Sequence, residues 1–268
     1  MIKVGCNYLS LPDMDLETFI RTAYELGLDV VDFHRRAFAS TEPAYLLRIK
    51  MSCLRYGLPM GYIGVSNNFV GTDEELQAEV KKCQEVIDLA AFVGSPLIRI
   101  FGAYVPPDAP DSEQIFAAMC RCNRQVAEYG ADRGVIVALQ NHDNRNLAAT
   151  AQDVLRILEE TDHPNFAFLL DTGQWAGSAG ANRERVFDAN VDIYQYIEQT
   201  LPQAVYVRTK FYRVESGRET VLDYDRIIDI LRRGQYNGSL SIVYEGEEED
   251  RVGAVRKAAA HLRALLTP

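Results

Sequence analysis

One pattern repeats eight times along this chain: a short apolar run, a few polar residues at its end, then a stretch of helical periodicity. Short apolar runs bounded by turns read as fully buried strands. Strands that alternate with helices build a parallel sheet. The strands are expected at 2–7, 28–34, 59–65, 96–101, 135–140, 166–171, 204–210 and 239–245. Helices are expected at 13–26, 42–56, behind a Thr72/Glu75 capping box, behind a proline-rich loop at 105–111, after Thr150, near 188–199, at 225–233 and at 252–266. Gly27, Gly57, Gly94 and Gly134 stop helices just before strands, as the short return loops of a barrel require. Eight such units in 268 residues favour closure into a (β/α)8 barrel over an open doubly wound sheet. No polar linker divides the chain, so residues 1–268 are read as one domain. No glycine-rich phosphate loop is present.

Alternation along each strand then sorts side chains by face. On the fifth strand Gln140 goes with Ala138 and Ile136, and on the sixth Asp171 goes with Leu169 and Ala167. On the seventh, Tyr206, Arg208 and Lys210 share a face opposite Val205 and Val207. On the eighth, Glu245 goes with Val243 and Ser241. The consistent solution sets the aliphatic faces against the helices and sends Gln140, Asp171, Arg208 and Glu245 into the lumen near one rim. Asp32 and His34 join them from the second strand. A charge inside a barrel is costly unless paired, so Arg208 is expected to have carboxylate partners, Asp171 and Glu245 being the natural ones. Open α/β sheets and barrels carry their chemistry at the carboxyl ends of strands, which is where this cluster falls. Asp143 and the run 247–250 are read as solvated loop charges. The loop at 105–111 is expected to lie over the mouth.

The net charge of −10, with no long basic run, argues against a general nucleic-acid binder. Cys6, Cys53, Cys83, Cys120 and Cys122 form no CxxC pair and fall mostly at apolar periodic positions, as reduced core thiols do. The opening residues carry no signal-peptide pattern, and no uncharged apolar run approaches the ~18 residues of a membrane span. A cytoplasmic protein is expected.

The segments VALQNHDN, LLDTGQW, VYVRTKFY and SIVYEGEEE, in that order and spacing, resemble the xylose isomerase-like TIM-barrel superfamily of sugar epimerases, isomerases and dehydratases. The resemblance spans nearly the whole chain. It implies a divalent metal held by a Glu after strand five, an Asp after strand six, a His or Gln on strand seven and a Glu after strand eight. The matching positions here are Gln140, Asp171, Arg208 and Glu245. Gln140 offers a neutral oxygen, and Arg208 has no lone pair to give. The resemblance thus implies a degraded metal site, in which Arg208 takes the metal's place and bridges Asp171 and Glu245. No cofactor is expected; Mn or Mg on Asp171, Glu245 and Gln140 is the alternative.

The family's epimerases use both Glu ligands as opposed bases, a scheme that Gln140 disables. Glu245 remains as base, with Arg208 and Lys210 to stabilise an enediolate and Asp171 to hold them. His142, at the family's Glu-Asn-His turn, and His34 are reserve proton carriers. His34, Asn67, Gln140, Tyr206 and Trp175 are expected to bind substrate. The expected activity is isomerisation, epimerisation or dehydration of a small, polar, sugar-like molecule, with no membrane or nucleic-acid partner and self-association left open. Two other readings compete: a metal-dependent isomerase or epimerase, and a non-catalytic ligand-binding or partner-subunit barrel. A repair nuclease would need a histidine-rich metal cluster, and only His34, His142, His163 and His261 are present.

Overall fold

A computed structural model describes residues 2–106, 112–143, 145–178 and 188–267. Eight parallel strands close into a barrel: β1 (Lys3–Asn7), β2 (Val30–His34), β3 (Met60–Gly64), β4 (Leu97–Ile100), β5 (Ile136–Gln140), β6 (Phe166–Asp171), β7 (Ala204–Phe211) and β10 (Ser239–Tyr244). Closure is made by β1 against β10, with Lys3 opposite Ser239 and Cys6 opposite Ile242. Helices α1 (Leu16–Glu25), α2 (Pro43–Tyr56), α3 (Asp73–Val93), α4 (Ser112–Ala131), α5 (Ala151–Thr161), α6 (Ile193–Thr200), α7 (Tyr224–Arg233) and α8 (Arg251–Leu266) surround it. A small antiparallel hairpin, β8 (Val214–Glu215) and β9 (Arg218–Glu219), follows β7.

Local chemistry sets these boundaries. The Thr72 hydroxyl accepts from the Glu75 N–H while the Glu75 carboxylate accepts from the Thr72 N–H, and α3 starts there. Gly57 and Gly94 end α2 and α3 in the left-handed conformation, at φ 65° and 89°. The sixth helix begins at Ile193, capped by Asp192, later than the expected 188–199. The expected cover over the mouth rests on residues 107–111, outside the described part, as do Asn144 and most of the loop after Trp175.

Outward strand residues such as Val137, Leu139, Phe168, Leu170, Val207 and Ile242 pack under the helices in the main core. All five cysteines are buried and free. A second, smaller apolar cluster lies inside the barrel: Tyr62, Leu97, Ala138, Leu169 and Tyr206. Among the described residues no helix is long and apolar enough to cross a membrane.

Candidate active site

The interior cluster verifies the alternation argument. Ala138, Leu169 and Tyr206 line the lumen, so Gln140, Asp171, Arg208 and Lys210 point inward above them. All four are buried. Asp171 and Arg208 are register partners on adjacent strands. The Arg208 guanidinium donates to Gln140 Oε1, and its Nη1 stands 3.6 Å from Asp171 Oδ2. Gln140 Nε2 donates to the same Asp171 oxygen at 3.3 Å.

Asp171 is held rigidly. Its Oδ1 accepts from the Gly173 N–H at 3.0 Å. Its backbone is clamped by Asn141, whose Oδ1 accepts from Asp171 N at 2.7 Å and whose Nδ2 donates to Asp171 O at 2.9 Å. Asn141 was visible in the sequence only as a loop residue.

Lys210, not Arg208, bridges the two acids. Its Nζ lies 2.6 Å from Glu245 Oε1 and 3.6 Å from Asp171 Oδ2, and its side chain is 1% exposed. Alternation gave the correct face for both cations but not their height. Lys210 stands two residues, about 7 Å, beyond Arg208 towards the rim. That brings it under Glu245, which follows the end of β10 and is 40% exposed at its side chain. Arg208 stays a layer lower, with the amide and one carboxylate oxygen. The Lys210 backbone is fixed on both sides: its N–H donates to Thr172 Oγ1 at 2.9 Å, and its carbonyl accepts from Tyr224 Oη at 2.7 Å.

Other expected site residues lie elsewhere or are already committed. Tyr206 is inward but at the floor, beside a hollow lined by Lys3, Val30, Met60 and Ser239 at the amino ends of the strands. Its hydroxyl donates to Asp32 Oδ1 at 2.8 Å, and the Tyr62 N–H donates to the same oxygen at 3.0 Å. Burial pushes the Asp32 carboxyl up to about 7, against the pull of its hydrogen bonds and of Arg208. Trp175 is outside the lumen. The chain turns after Asp171, and the indole packs between Phe168 of β6 and Tyr196 of α6. Asn67 spends its amide on the Phe101 backbone, donating to the carbonyl and accepting from the N–H, each at 2.8 Å.

Both ring nitrogens of His34 are engaged by neighbours. Its Nδ1 accepts from the Arg36 N–H at 3.2 Å, leaving Nε2 to donate to Ser66 Oγ at 3.1 Å. Burial, followed by the charge of Arg99, pulls it down to about 3. His142 stacks edge-on against Phe101 and Tyr104, with Nδ1 3.5 Å from Asp143 Oδ1. Asp143, expected in solvent, is instead buried beside the His142 ring, which draws it in from the loop. Residues 247–250 lie at the surface or partly so, as expected.

One lumen cation among the described residues is not apparent from the sequence reading. Arg99 on β4 is 2% exposed; its Nη1 donates to Val65 O at 3.1 Å, and its guanidinium lies 4.0 Å over the Phe101 ring. Burial, then the nearby Arg208 charge, draws it down to about 10. The apolar run LIRI hid it, although alternation from Leu97 would have pointed it inward.

The sequence signature described as xylose isomerase-like TIM barrel matches residues 20–265. No curated protein sequence matches. Among solved structures, the chain is similar to the apo form of 3-keto-D-glucoside 4-epimerase YcjR from E. coli, at 18% identity and TM-score 0.80, covering 98% of this chain and 100% of that one. It is equally similar to D-psicose 3-epimerase with D-tagatose from Clostridium cellulolyticum H10, at 16% identity and TM-score 0.80 over 100% of both chains. The probable 3-DHS dehydratase AsbF from Bacillus anthracis, involved in petrobactin synthesis, follows at 18% identity and TM-score 0.73, over 98% of this chain and 99% of that one. At these identities the likeness is one of fold.

Proposed function

The chain belongs to the xylose isomerase-like TIM barrel family, and on that premise we propose that it is a sugar-class isomerase or dehydratase working by proton transfer beside a carbonyl, without a divalent metal. The observation that carries this reading is the Lys210 ammonium set between Asp171 and Glu245. The solved structures named above include sugar epimerases and a probable dehydratase, which supports the reaction class.

The donor set does not suit a hard cation. Such an ion wants several oxygen ligands, anionic above all. Here the two carboxylates already face an ammonium, and the strand-seven position is a guanidinium. Among the described residues no three His, Cys, Asp or Glu side chains group as a metal would need. The cations deliver in covalent form the positive charge that a metal would otherwise bring.

Glu245, at the rim, takes the proton from the carbon next to the carbonyl. The C–H electron pair moves into the new double bond, and the carbonyl π pair moves onto oxygen. Lys210, with Arg208 behind it, stabilises that oxyanion in a buried setting where fixed charges act strongly. Protonation of the neighbouring carbon, with transfer of the hydroxyl proton between the two oxygens, completes an isomerisation. In a dehydration the enolate pair reforms the carbonyl, the double bond shifts to the β carbon, its C–O bond breaks, and the hydroxyl leaves as water with the proton that Glu245 took. Inversion at one carbon needs proton delivery from the opposite face, and Gln140 carries no transferable proton there. Isomerisation or dehydration is therefore favoured over epimerisation.

Deuterium wash-in tests this. Ketoses, aldoses and their acids are incubated with the protein in D2O and followed by NMR at the carbon adjacent to the carbonyl. Wild type is expected to exchange at least one of them, and Glu245→Gln to slow exchange by about 10²–10⁴-fold. Unchanged exchange in that variant would remove Glu245 as base. Stoichiometric Mn or Mg in protein purified without chelator, with activity lost on chelation and restored by metal, would overturn the metal-free mechanism.

A further inference from the structure

Among the described residues three buried cations project into the lumen, and two of them face carboxylates. Arg208 has Gln140 and Asp171; Lys210 has Asp171 and Glu245. Arg99 has one backbone carbonyl and one ring face. No carboxylate among the described residues lies within ion-pair distance of it, and its Nε is buried with no partner. Buried charges and buried N–H donors are normally satisfied, and an orphan on a buried cation calls for a partner that the described side chains do not supply. Arg99 also lies within reach of the Arg208 charge, so the fold places two guanidiniums near each other with a shortage of anions between them.

One edge of the fork is left without a partner among the described residues. Nη1 is used by Val65, while Nε and Nη2 lie side by side, the pair that meets both oxygens of a planar oxyacid. The wall beside this edge is a glycine: a Cβ on Gly64 would stand 2.6 Å from Nη2. Two nearby polar side chains are already committed. His34 is neutral, with both nitrogens engaged, and the Asn67 amide is spent on the Phe101 backbone. One positive charge and two coplanar donors match a monoanion, not a phosphoryl dianion that calls for further donors.

We propose that Arg99 receives the carboxylate of the substrate, so that this barrel acts on a sugar acid or similar polyhydroxylated carboxylate rather than on a neutral sugar or a sugar phosphate. This rests on the same mouth being the active site as argued above. The acid end would sit against β4, and the carbon chain would extend towards Lys210 and Glu245 across the lumen.

The test is binding, read by thermal shift and calorimetry on the full chain with D-glucuronate, D-galacturonate and D-gluconate, against D-glucose, D-fructose and fructose 6-phosphate. At least one sugar acid is expected to bind and raise the melting temperature of wild type. Arg99→Leu should weaken that binding by about 10–100-fold, the effect of losing a charge-assisted, two-pronged contact. Arg99→Lys, which keeps the charge and loses the fork, should recover only part of it. Should every sugar acid fail to bind, or bind Arg99→Leu equally well, or should fructose 6-phosphate be the ligand lost on substitution, the assignment is overturned. The outcomes separate from those of deuterium exchange. Arg99-dependent binding without exchange defeats the reaction and leaves the subsite standing. Glu245-dependent exchange of a neutral sugar, with no preference for acids, does the reverse.

Discussion

The floor and the rim of this barrel are chemically opposite. At the floor, uncharged donors gather on one another and on a single carboxyl oxygen: Asn7 Nδ2 donates to Tyr62 Oη at 2.9 Å, and Tyr206 Oη and the Tyr62 N–H converge on Asp32 Oδ1. Aromatic rings fill the space around them, Tyr62 and Tyr206 meeting edge to face at 5.3 Å. At the rim, Arg99, Arg208 and Lys210 outnumber Asp171 and Glu245. A plug can be built from neutral groups that match. A reaction site has to hold charge ready for a partner that arrives later, and carries the cost until it does.

Substitutions at the two levels should separate accordingly. The largest effect is expected at Lys210→Met. It removes the oxyanion stabiliser and leaves two carboxylates facing each other, so turnover should fall by about 10²–10³-fold. Stability should fall by about 2–3 kcal/mol in urea unfolding, softened because Glu245 can swing into water. Normal turnover in this variant would place the chemistry elsewhere.

Next comes Asp32 at the floor. Its folded carboxyl lies at about 7, above its ordinary value of 3.8, so the folded state retains a proton that the unfolded state releases. Stability from this group is therefore full below about pH 4 and is lost as pH rises towards 7. Asp32→Asn keeps an acceptor for Tyr206 and Tyr62 and should flatten that slope, by a few kcal/mol over the range. An unaltered pH profile of urea midpoints would show the carboxyl ionised in the folded barrel. The smallest effect is Tyr206→Phe. It deletes one donor to Asp32 and should cost about 1–2 kcal/mol, with kcat unchanged when substrate saturates. A fall in kcat would bring the floor into the reaction and erase the distinction.

Much of this could be read from the chain because period and punctuation are local. Strand 166–171 was placed to the residue, and the Thr72/Glu75 box gave the start of α3. Alternation correctly turned Gln140, Asp171 and Arg208 inward. It failed wherever height mattered. Period two assigns a face, but the level around a closed barrel depends on stagger between strands, which no single strand encodes. So Tyr206 was set at the mouth instead of the floor, and Arg208 was given the bridge that Lys210 makes. Trp175 was misplaced because alternation ends where the strand does. The hairpin at β8 and β9 was overlooked although Ser216-Gly217, both at positive φ, is the two-residue turn such a ribbon uses. Arg99 is hidden because a single charge inside the short apolar run of β4 gives no contrast between faces.

The burial of the three rim cations carries a kinetic consequence. The chain as a whole bears a charge of −10, so a carboxylate substrate diffusing inward first meets repulsion and only at the end attraction. Dissolved ions screen the first over a Debye length of roughly 8–10 Å and barely touch the second. Adding moderate salt should therefore quicken capture, the reverse of what an enzyme with an exposed basic funnel does, and kcat/KM measured against ionic strength would display the sign.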